Sequence, residues 1–317
     1  MCKVAGLSLV GLMLVAAQSP GLPNPPRRIC IGRFHVCQLN STDHMVCTYG
    51  EELQKADPWD DLWGHAARIP PPNQFSTLDC WSFGACGVDA VDGQVICFGS
   101  SAVNNPVSSP EHNFLPPPGF SRITISSGAC GISAADDKPK CWKPYPYAPA
   151  PDDVPALGAI TIGASYACGL ELATGFAICW DRFGGIPGSN TQHSGANIVP
   201  EPRTAYKSIA AANSGVCAAV LAQNGGVDCW GWDGIQSPQK AAFLAAAPTN
   251  GTWDLIASGG QGNGFCALRD DNYLHCWSLQ GVDIAGGDIF HPPPIVDHDY
   301  VHIELSMYSE MACGITT

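Results

Sequence analysis

Basic residues are scarce in this 317-residue chain: 15 lysines and arginines stand against 28 aspartates and glutamates, a net charge of −13. They form no block, and the Pro-Pro-Arg-Arg of 25–28 is their densest spot. A protein that tracks nucleic-acid phosphates needs a Lys/Arg surplus on some surface, so that class of partner is excluded. Catalytic signatures are missing too. There is no Gly-x-Ser-x-Gly elbow, no His-Glu-x-x-His, no phosphate-binding glycine loop and no EF-hand loop. The cysteines show neither the Cys-x-x-Cys of a redox pair nor the close double pairs of a zinc site. No enzyme activity, metal or cofactor is therefore expected. After the first twenty residues no apolar run is long enough to cross a bilayer, and the C-terminus carries no lipid-anchor signal.

The first apolar run has a different meaning. Lys3 precedes an uncharged stretch from Val4 to Ala17, with small residues at Val15 and Ala17. Residues 1–17 read as a secretory signal peptide, too short for a good membrane span. Cleavage after Ala17 would remove Lys3 and Cys2, taking the net charge from −13 to about −14 and the cysteines from 16 to 15. A secreted, extracellular address also explains the cysteines, since disulfides persist in oxidising compartments. A chain of this length can bury a sizeable core, so they are not there to replace one. Two glycosylation sequons agree with that address: Asn40-Ser41-Thr42 and Asn250-Gly251-Thr252.

Internal repetition organises the rest. The stretches ACGVDAVDGQVICF (85–98), ACGISAADDKPKCW (129–142), ACGLELATGFAICW (167–180) and VCAAVLAQNGGVDCW (216–230) are variants of one unit. VCQLNSTDHMVCTY (36–49) and FCALRDDNYLHCW (265–277) complete the set. Each has a cysteine, an apolar pair, a polar turn, a second cysteine and then an aromatic residue. The expected disulfide pairs are Cys37 with Cys47, Cys86 with Cys97, Cys130 with Cys141, Cys168 with Cys179, Cys217 with Cys229, and Cys266 with Cys276. A seventh opening half ends near Cys313. The flanks repeat as well: an aromatic sits three residues before an aliphatic in Phe75 and Leu78, Phe120 and Ile123, Tyr206 and Ile209, Trp253 and Ile256, and Tyr300 and Ile303. Proline-rich stretches precede several of these. First cysteines recur every 38 to 49 residues.

Each unit reads as short strands. Runs such as RITIS and AITIG are β-branched and alternating. The segment between two cysteines reads as a hairpin whose cysteines face each other, within the ~4.4–6.8 Å Cα separation of a disulfide. Several short strands per forty-odd residues, with no amphipathic helix, predict the blades of a propeller. Each bridge closes about a dozen residues, worth roughly 3 kcal/mol in the chain-entropy picture.

The pattern carried by ICIGRFHVCQL, ITIGASYACGL and IASGGQGNGFCAL, with CWGW and CWSL closing two units, resembles the regulator-of-chromosome-condensation superfamily. That superfamily also includes a secreted bacterial inhibitor of β-lactamase. Still more closely the pattern resembles the disulfide-bearing repeats in the ectodomains of plant crinkly-type receptor-like kinases. The resemblance covers about residues 27–317. It implies an all-β, seven-bladed β-propeller with a stapled hairpin in most blades and a last blade that is incomplete. His35 falls on a structural position of the family's repeat. Departures exist: only Cys229 is followed by Trp-Gly, and no kinase motif is present. The expected organisation is a signal peptide (1–17), a Pro-rich segment (18–26), and a propeller of six full repeats and a partial seventh (27–317).

Three cysteines stay unassigned. Cys30 and Cys80 occupy similar places before the first cysteines of repeats one and two. They can pair across adjacent blades and leave Cys313 alone, or Cys30 can pair with Cys313 to close the ring and leave Cys80 free. The histidines His291, His298 and His302 beside Asp297 and Asp299 match no ligand spacing and read as solvated loop. Binding candidates are the loop residues Trp59, Asp60, Asp61 and Trp63 in DPWDDLW, with Tyr145 and Tyr147 in KPYPYAP. Aromatic anchors beside carboxylates suit a basic partner. The expectation is a secreted, non-catalytic binding module for an extracellular protein or peptide. Its rivals are a truncated crinkly-type receptor ectodomain and an extracellular hydrolase using channel carboxylates.

Overall fold

A computed structural model describes residues 2–4, 7–9, 27–32, 35–49, 72–81, 84–99, 119–126, 128–142, 154–163, 166–181, 204–212, 215–231, 237–259, 264–271, 273–278, 300–305 and 312–316. Six sequence repeats each fold into a three-stranded antiparallel meander. The first comprises β3 (Ile29–Ile31), β4 (His35–Leu39) and β5 (Met45–Tyr49); the second β6 (Phe75–Trp81), β7 (Gly84–Asp89) and β8 (Val95–Gly99). The third has β9 (Phe120–Ile125), β10 (Ala129–Ser133) and β11 (Pro139–Trp142); the fourth β12 (Leu157–Ile162), β13 (Tyr166–Glu171) and β14 (Ala177–Asp181). The fifth has β15 (Tyr206–Ala211), β16 (Gly215–Val220) and β17 (Val227–Gly231); the sixth β18 (Trp253–Gly259), β19 (Gly264–Arg269) and β20 (Leu274–Ser278).

The seventh sheet differs. It contains β21 (Tyr300–Leu305) and β22 (Ala312–Thr316), and β22 is paired on its other side by β1 (Cys2–Val4), which pairs in turn with β2 (Leu7–Leu9). Cys2 stands opposite Cys313 in the antiparallel register. The first strands lie side by side around a ring, β3 beside β6, β6 beside β9, and so on to β21, which lies beside β3. This is a propeller architecture. The Pro-rich segment 18–26 lies outside the described residues.

Within each of the six meanders the two hairpin cysteines are register partners. All six pairs are disulfides: Cys37 is bonded to Cys47, Cys86 to Cys97 and Cys130 to Cys141. Likewise Cys168 is bonded to Cys179, Cys217 to Cys229 and Cys266 to Cys276. Their Cα atoms are 4.0–4.1 Å apart. That is closer than the separation expected from sequence. The two members of a bridge differ in burial. In each of these six the first cysteine lies on the middle strand and is buried, whereas Cys47, Cys97, Cys141, Cys229 and Cys276 on the third strand are half-buried. Cys179 is buried like its partner. A seventh disulfide joins Cys30 to Cys80, from the first strand of one sheet to the first strand of the next.

The motif residues around the cysteines have packing reasons. The first strand opens on a buried large residue: Phe75, Phe120, Leu157, Tyr206 or Trp253. In three sheets it lies across the glycine that follows the first cysteine. A Cβ on Gly87 would stand 2.3 Å from the Phe75 ring, and one on Gly131 2.5 Å from Phe120. The aromatic after the second cysteine fills the gap to the preceding sheet. Trp142 packs with Cys86, Val88 and Val95, Trp180 with Cys130 and Ile132, and Trp277 with Cys217 and Ala219. The core is thus a series of wedges between neighbouring sheets, each with a cystine in its wall.

A helix that the sequence reading did not anticipate, α1 (Ser237–Ala246), lies between the fifth and sixth sheets. Its Ala-rich composition favours helix without a strong apolar stripe, so periodicity gave no warning. It buries Phe243 completely, edge-on to Phe265 and near Trp277. Among the described residues no helix is long and apolar enough to cross a membrane.

Candidate interaction surface

Antiparallel meanders put the turns between first and second strands on one side of the ring and the hairpin tips on the other. Hydrogen bonds fix the tips to their neighbours. Asp43, Gly93, Asp137 and Gly175 each occupy the left-handed region at a tip, with φ of 61°, 70°, 54° and 72°. Their carbonyls accept the N–H groups of Phe75 (2.8 Å), Phe120 (3.0 Å), Leu157 (2.8 Å) and Tyr206 (2.9 Å), the residues that open the next sheet's first strand. Each tip is therefore held by its own cystine and by the following sheet.

The first strands are bonded to one another as well. Asp79 Oδ2 accepts from Ile125 N at 2.7 Å, Thr161 Oγ1 from Ala211 N at 3.0 Å, and Ser208 Oγ from Ile256 N at 3.0 Å. Asp79 Oδ1 also accepts from Arg27 Nη1 (2.7 Å) and Cys80 N (2.9 Å), so one buried carboxylate links three sheets.

The side opposite the tips explains the Gly-x-x-[His/Tyr] motif. His35 is buried and its Nε2 lies 3.1 Å from Gly84 O of the second sheet. Tyr166, at the same place in the fourth sheet, donates to Ala212 O and Gly215 O of the fifth at 2.8 and 2.6 Å. A Cβ on Gly32 or Gly163 would collide with the His35 or Tyr166 ring, at 2.0 and 2.3 Å. Burial lowers the His35 pKa to about 4, so the ring is neutral and acts as a strut between sheets. A ring nitrogen of His35, Cys37 Sγ and Cys80 Sγ lie within 4.8 Å of one another. Both sulfurs are held in disulfides, to Cys47 and Cys30, and are not thiolate ligands.

What the tips present changes around the ring. In the second to fifth sheets, the fourth and fifth residues after the first cysteine are an exposed apolar pair: Ala90-Val91, Ala134-Ala135, Leu172-Ala173 and Leu221-Ala222. Val91 is 88% exposed, Leu172 46% and Leu221 53%. The same positions are Ser41-Thr42 in the first sheet and Asp270-Asp271 in the sixth. Carboxylates sit among them and are held ionised. Hydrogen bonds from Val91 N and Asn73 hold Asp89 below the usual carboxylate range. Bonds from Ser133 and Lys138 N do the same for Asp136, and Arg269 for Asp271.

Both sequons lie on this side. Asn40 Oδ1 accepts from Thr42 N (2.9 Å), Thr42 Oγ1 (2.9 Å) and His44 N (3.0 Å), bonds that do not involve the Nδ2 linkage atom. Asn250 is exposed next to the fifth tip, where Gly226 N donates to Gly251 O and Asn224 N to Thr252 Oγ1. The binding candidates Trp59, Asp60, Asp61, Trp63, Tyr145 and Tyr147 lie outside the described residues. Sequence reasoning missed the apolar tip pairs. The cysteine frame aligns them, but turns were read only for their Gly, Asp and Asn.

No family model matches the chain. Solved structures do. The ectodomain of the Physcomitrella patens receptor kinase CR4 superposes with a TM-score of 0.64 at 18% identity, over 92% of this chain and 70% of that one. The crinkly ectodomain of the Arabidopsis thaliana receptor kinase ACR4 gives 0.62 at 18% identity, over 92% and 91%. Yeast RCC1 (Prp20), in a structure with Kap60 bound to it, gives 0.58 at 12% identity, over 91% and 80%. At these identities the likeness is one of fold.

Proposed function

We propose, for a chain that shares the propeller fold of the crinkly ectodomains and of the chromosome-condensation regulator, a secreted binding module without catalytic activity that recognises an extracellular protein or peptide. The ring is read as seven-bladed, with residues 1–17 as its leader and Asn40 and Asn250 as glycan sites. The observation that carries this reading is that six hairpin tips are each fixed by a cystine. Such tips form a rigid array of short loops that loses little entropy on binding. The loop residues Trp59, Asp60, Asp61, Trp63, Tyr145 and Tyr147 remain proposed contacts. A receptor-ectodomain origin is the second reading, favoured by the two receptor-kinase ectodomains that share the fold. Expression with the native leader in an oxidising host tests the main reading. The chain is expected in the medium, starting at Gln18, with two glycosidase-sensitive chains and with peptide binding that is lost on reduction. Retention in the cell, or binding unaffected by reduction and unfolding, would overturn it.

A further inference from the structure

The four apolar tip pairs are consecutive around the ring, and they occupy equivalent positions in the second, third, fourth and fifth sheets. Together they make a raised arc of aliphatic side chains on one side of the molecule. An isolated exposed Leu or Val needs no explanation, but a repeated, positionally matched set does. A turn needs no apolar residue at these positions: the first and sixth sheets build the same turn with Ser41-Thr42 and Asp270-Asp271.

Two further features mark the arc as a contact surface. The first is charge. Among the described residues the tips carry Asp43, Asp92, Asp136, Asp137, Asp270 and Asp271. Arg28 pairs with Asp43, Arg269 pairs with Asp271, and Lys138 is the lysine at the tips, so carboxylates remain in surplus. The second is the placing of the sequons. Asn40 sits on the tip of the first sheet, before the arc begins, and Asn250 beside the fifth tip, where it ends. Glycans there would border the arc at both ends and leave its middle bare.

We infer that this arc (Val91, the Ala134-Ala135 pair, Leu172 and Leu221) is the docking surface for a polypeptide segment whose aliphatic side chains are interspersed with lysine or arginine. The aliphatic groups cover the exposed tips, and the basic groups meet the tip carboxylates. The carboxylates favour this occupant over a second copy of the chain, because two copies would bring like-charged tips together. The inference rests on the binding-module reading above and adds which face binds and what it binds.

The test pans a display library of random linear peptides on the secreted, glycosylated protein, then measures one synthetic winner by calorimetry. Selected peptides are expected to be rich in Leu, Ile or Val with Lys or Arg. Leu172→Asp and Leu221→Asp are each expected to weaken binding at least about tenfold, the scale of a hot-spot loss. Val91→Asp should do the same to a smaller degree, and added salt should weaken binding further. Val46→Asp, an exposed apolar position outside the arc, is the control and should leave affinity unchanged. Each variant must keep the parent's melting temperature and disulfide map, so that lost binding is not lost folding. Acidic winners, or affinity indifferent to all three arc substitutions, would overturn the inference while leaving the binding-module reading intact. Failure to select any peptide would count against both. Self-association in sedimentation that Leu172→Asp abolishes would make the occupant a second copy, and the inference would be wrong.

Discussion

Six sheets and the seventh solve the same structural problem in different ways. Each of the six takes its strands from one continuous stretch and carries a cystine between register partners. The seventh joins β21 and β22 near the C-terminus to β1 and β2 at the N-terminus, with Cys2 opposite Cys313. A local hairpin can be stapled as soon as it forms, because closing a loop of about a dozen residues costs little entropy. Closing the ring needs both ends of the chain. The seventh sheet, unlike the ring contact of β21 with β3, also draws on residues that the signal-peptide reading removes: a cut after Ala17 takes β1 and β2 away from β22. The lesson is that cystines here secure individual blades, and that most junctions between sheets rest on hydrogen bonds and wedge packing.

The junction chemistry predicts the largest effect. Asp79→Ala leaves Arg27 and the N–H groups of Ile125 and Cys80 without their shared acceptor. It should cost about 3–5 kcal/mol in denaturant unfolding, because two buried N–H groups lose their acceptor at about 1–3 kcal/mol each and the part-exposed Arg27 loses a carboxylate partner. Next comes the cystine contrast. Replacing Cys168 and Cys179 together by alanine should cost about 3 kcal/mol, whereas Cys313→Ser in the secreted protein should not change its melting temperature. Equal losses would mean that the seventh sheet is stapled as well.

Acid separates two junctions that are otherwise alike. His35 spans the first and second sheets, and Tyr166 spans the fourth and fifth. The folded His35 pKa of about 4 lies below the ordinary 6.5, so between those values the unfolded chain binds more protons. Stability contributed by the neutral ring is full above about 6.5 and is lost as pH falls toward 4, a change of about 3 kcal/mol. His35→Tyr should remove that slope, as read from urea midpoints across the window. Smaller still, Gly87→Ala should cost about 1–3 kcal/mol, because its Cβ meets the Phe75 ring in a filled wedge. Smallest is Asp137→Gly, which removes a side chain from a left-handed position and should raise stability by up to about 1 kcal/mol.

The blades were legible in the sequence because the cystine frame, the opening aromatic and the polar turn are all local features that recur. The second cysteines Cys97, Cys141, Cys179 and Cys276 could be paired with their partners because each lies only 10 or 11 residues away, across one turn. The glycine after the first cysteine was visible as a motif. Its reason was not, because the Phe75 and Phe120 rings reach it from the adjoining strand of the same sheet. Pairing of Cys30 could not be chosen from sequence, since Cys80 and Cys313 both met the requirement of a neighbouring first strand or ring closure. The structure bonds Cys30 to Cys80. Completion of the seventh sheet by β1 and β2 was hidden by the leader pattern, which reads the same apolar residues as an export signal. The apolar arc was overlooked for a simpler reason: Val91, Leu172 and Leu221 are ordinary one at a time and form a pattern only when the sheets are placed around a ring.

A disulfide map with a free-thiol count, made on protein secreted from an oxidising host, tests the central claim most directly. The account predicts the six hairpin bonds, the Cys30–Cys80 bond, an N-terminus at Gln18 and one titratable thiol at Cys313. A Cys30–Cys313 bond, or the absence of the hairpin bonds, would contradict the stapled-blade architecture. A Cys2–Cys313 bond in the secreted protein would contradict the leader and give the seventh sheet a staple of its own.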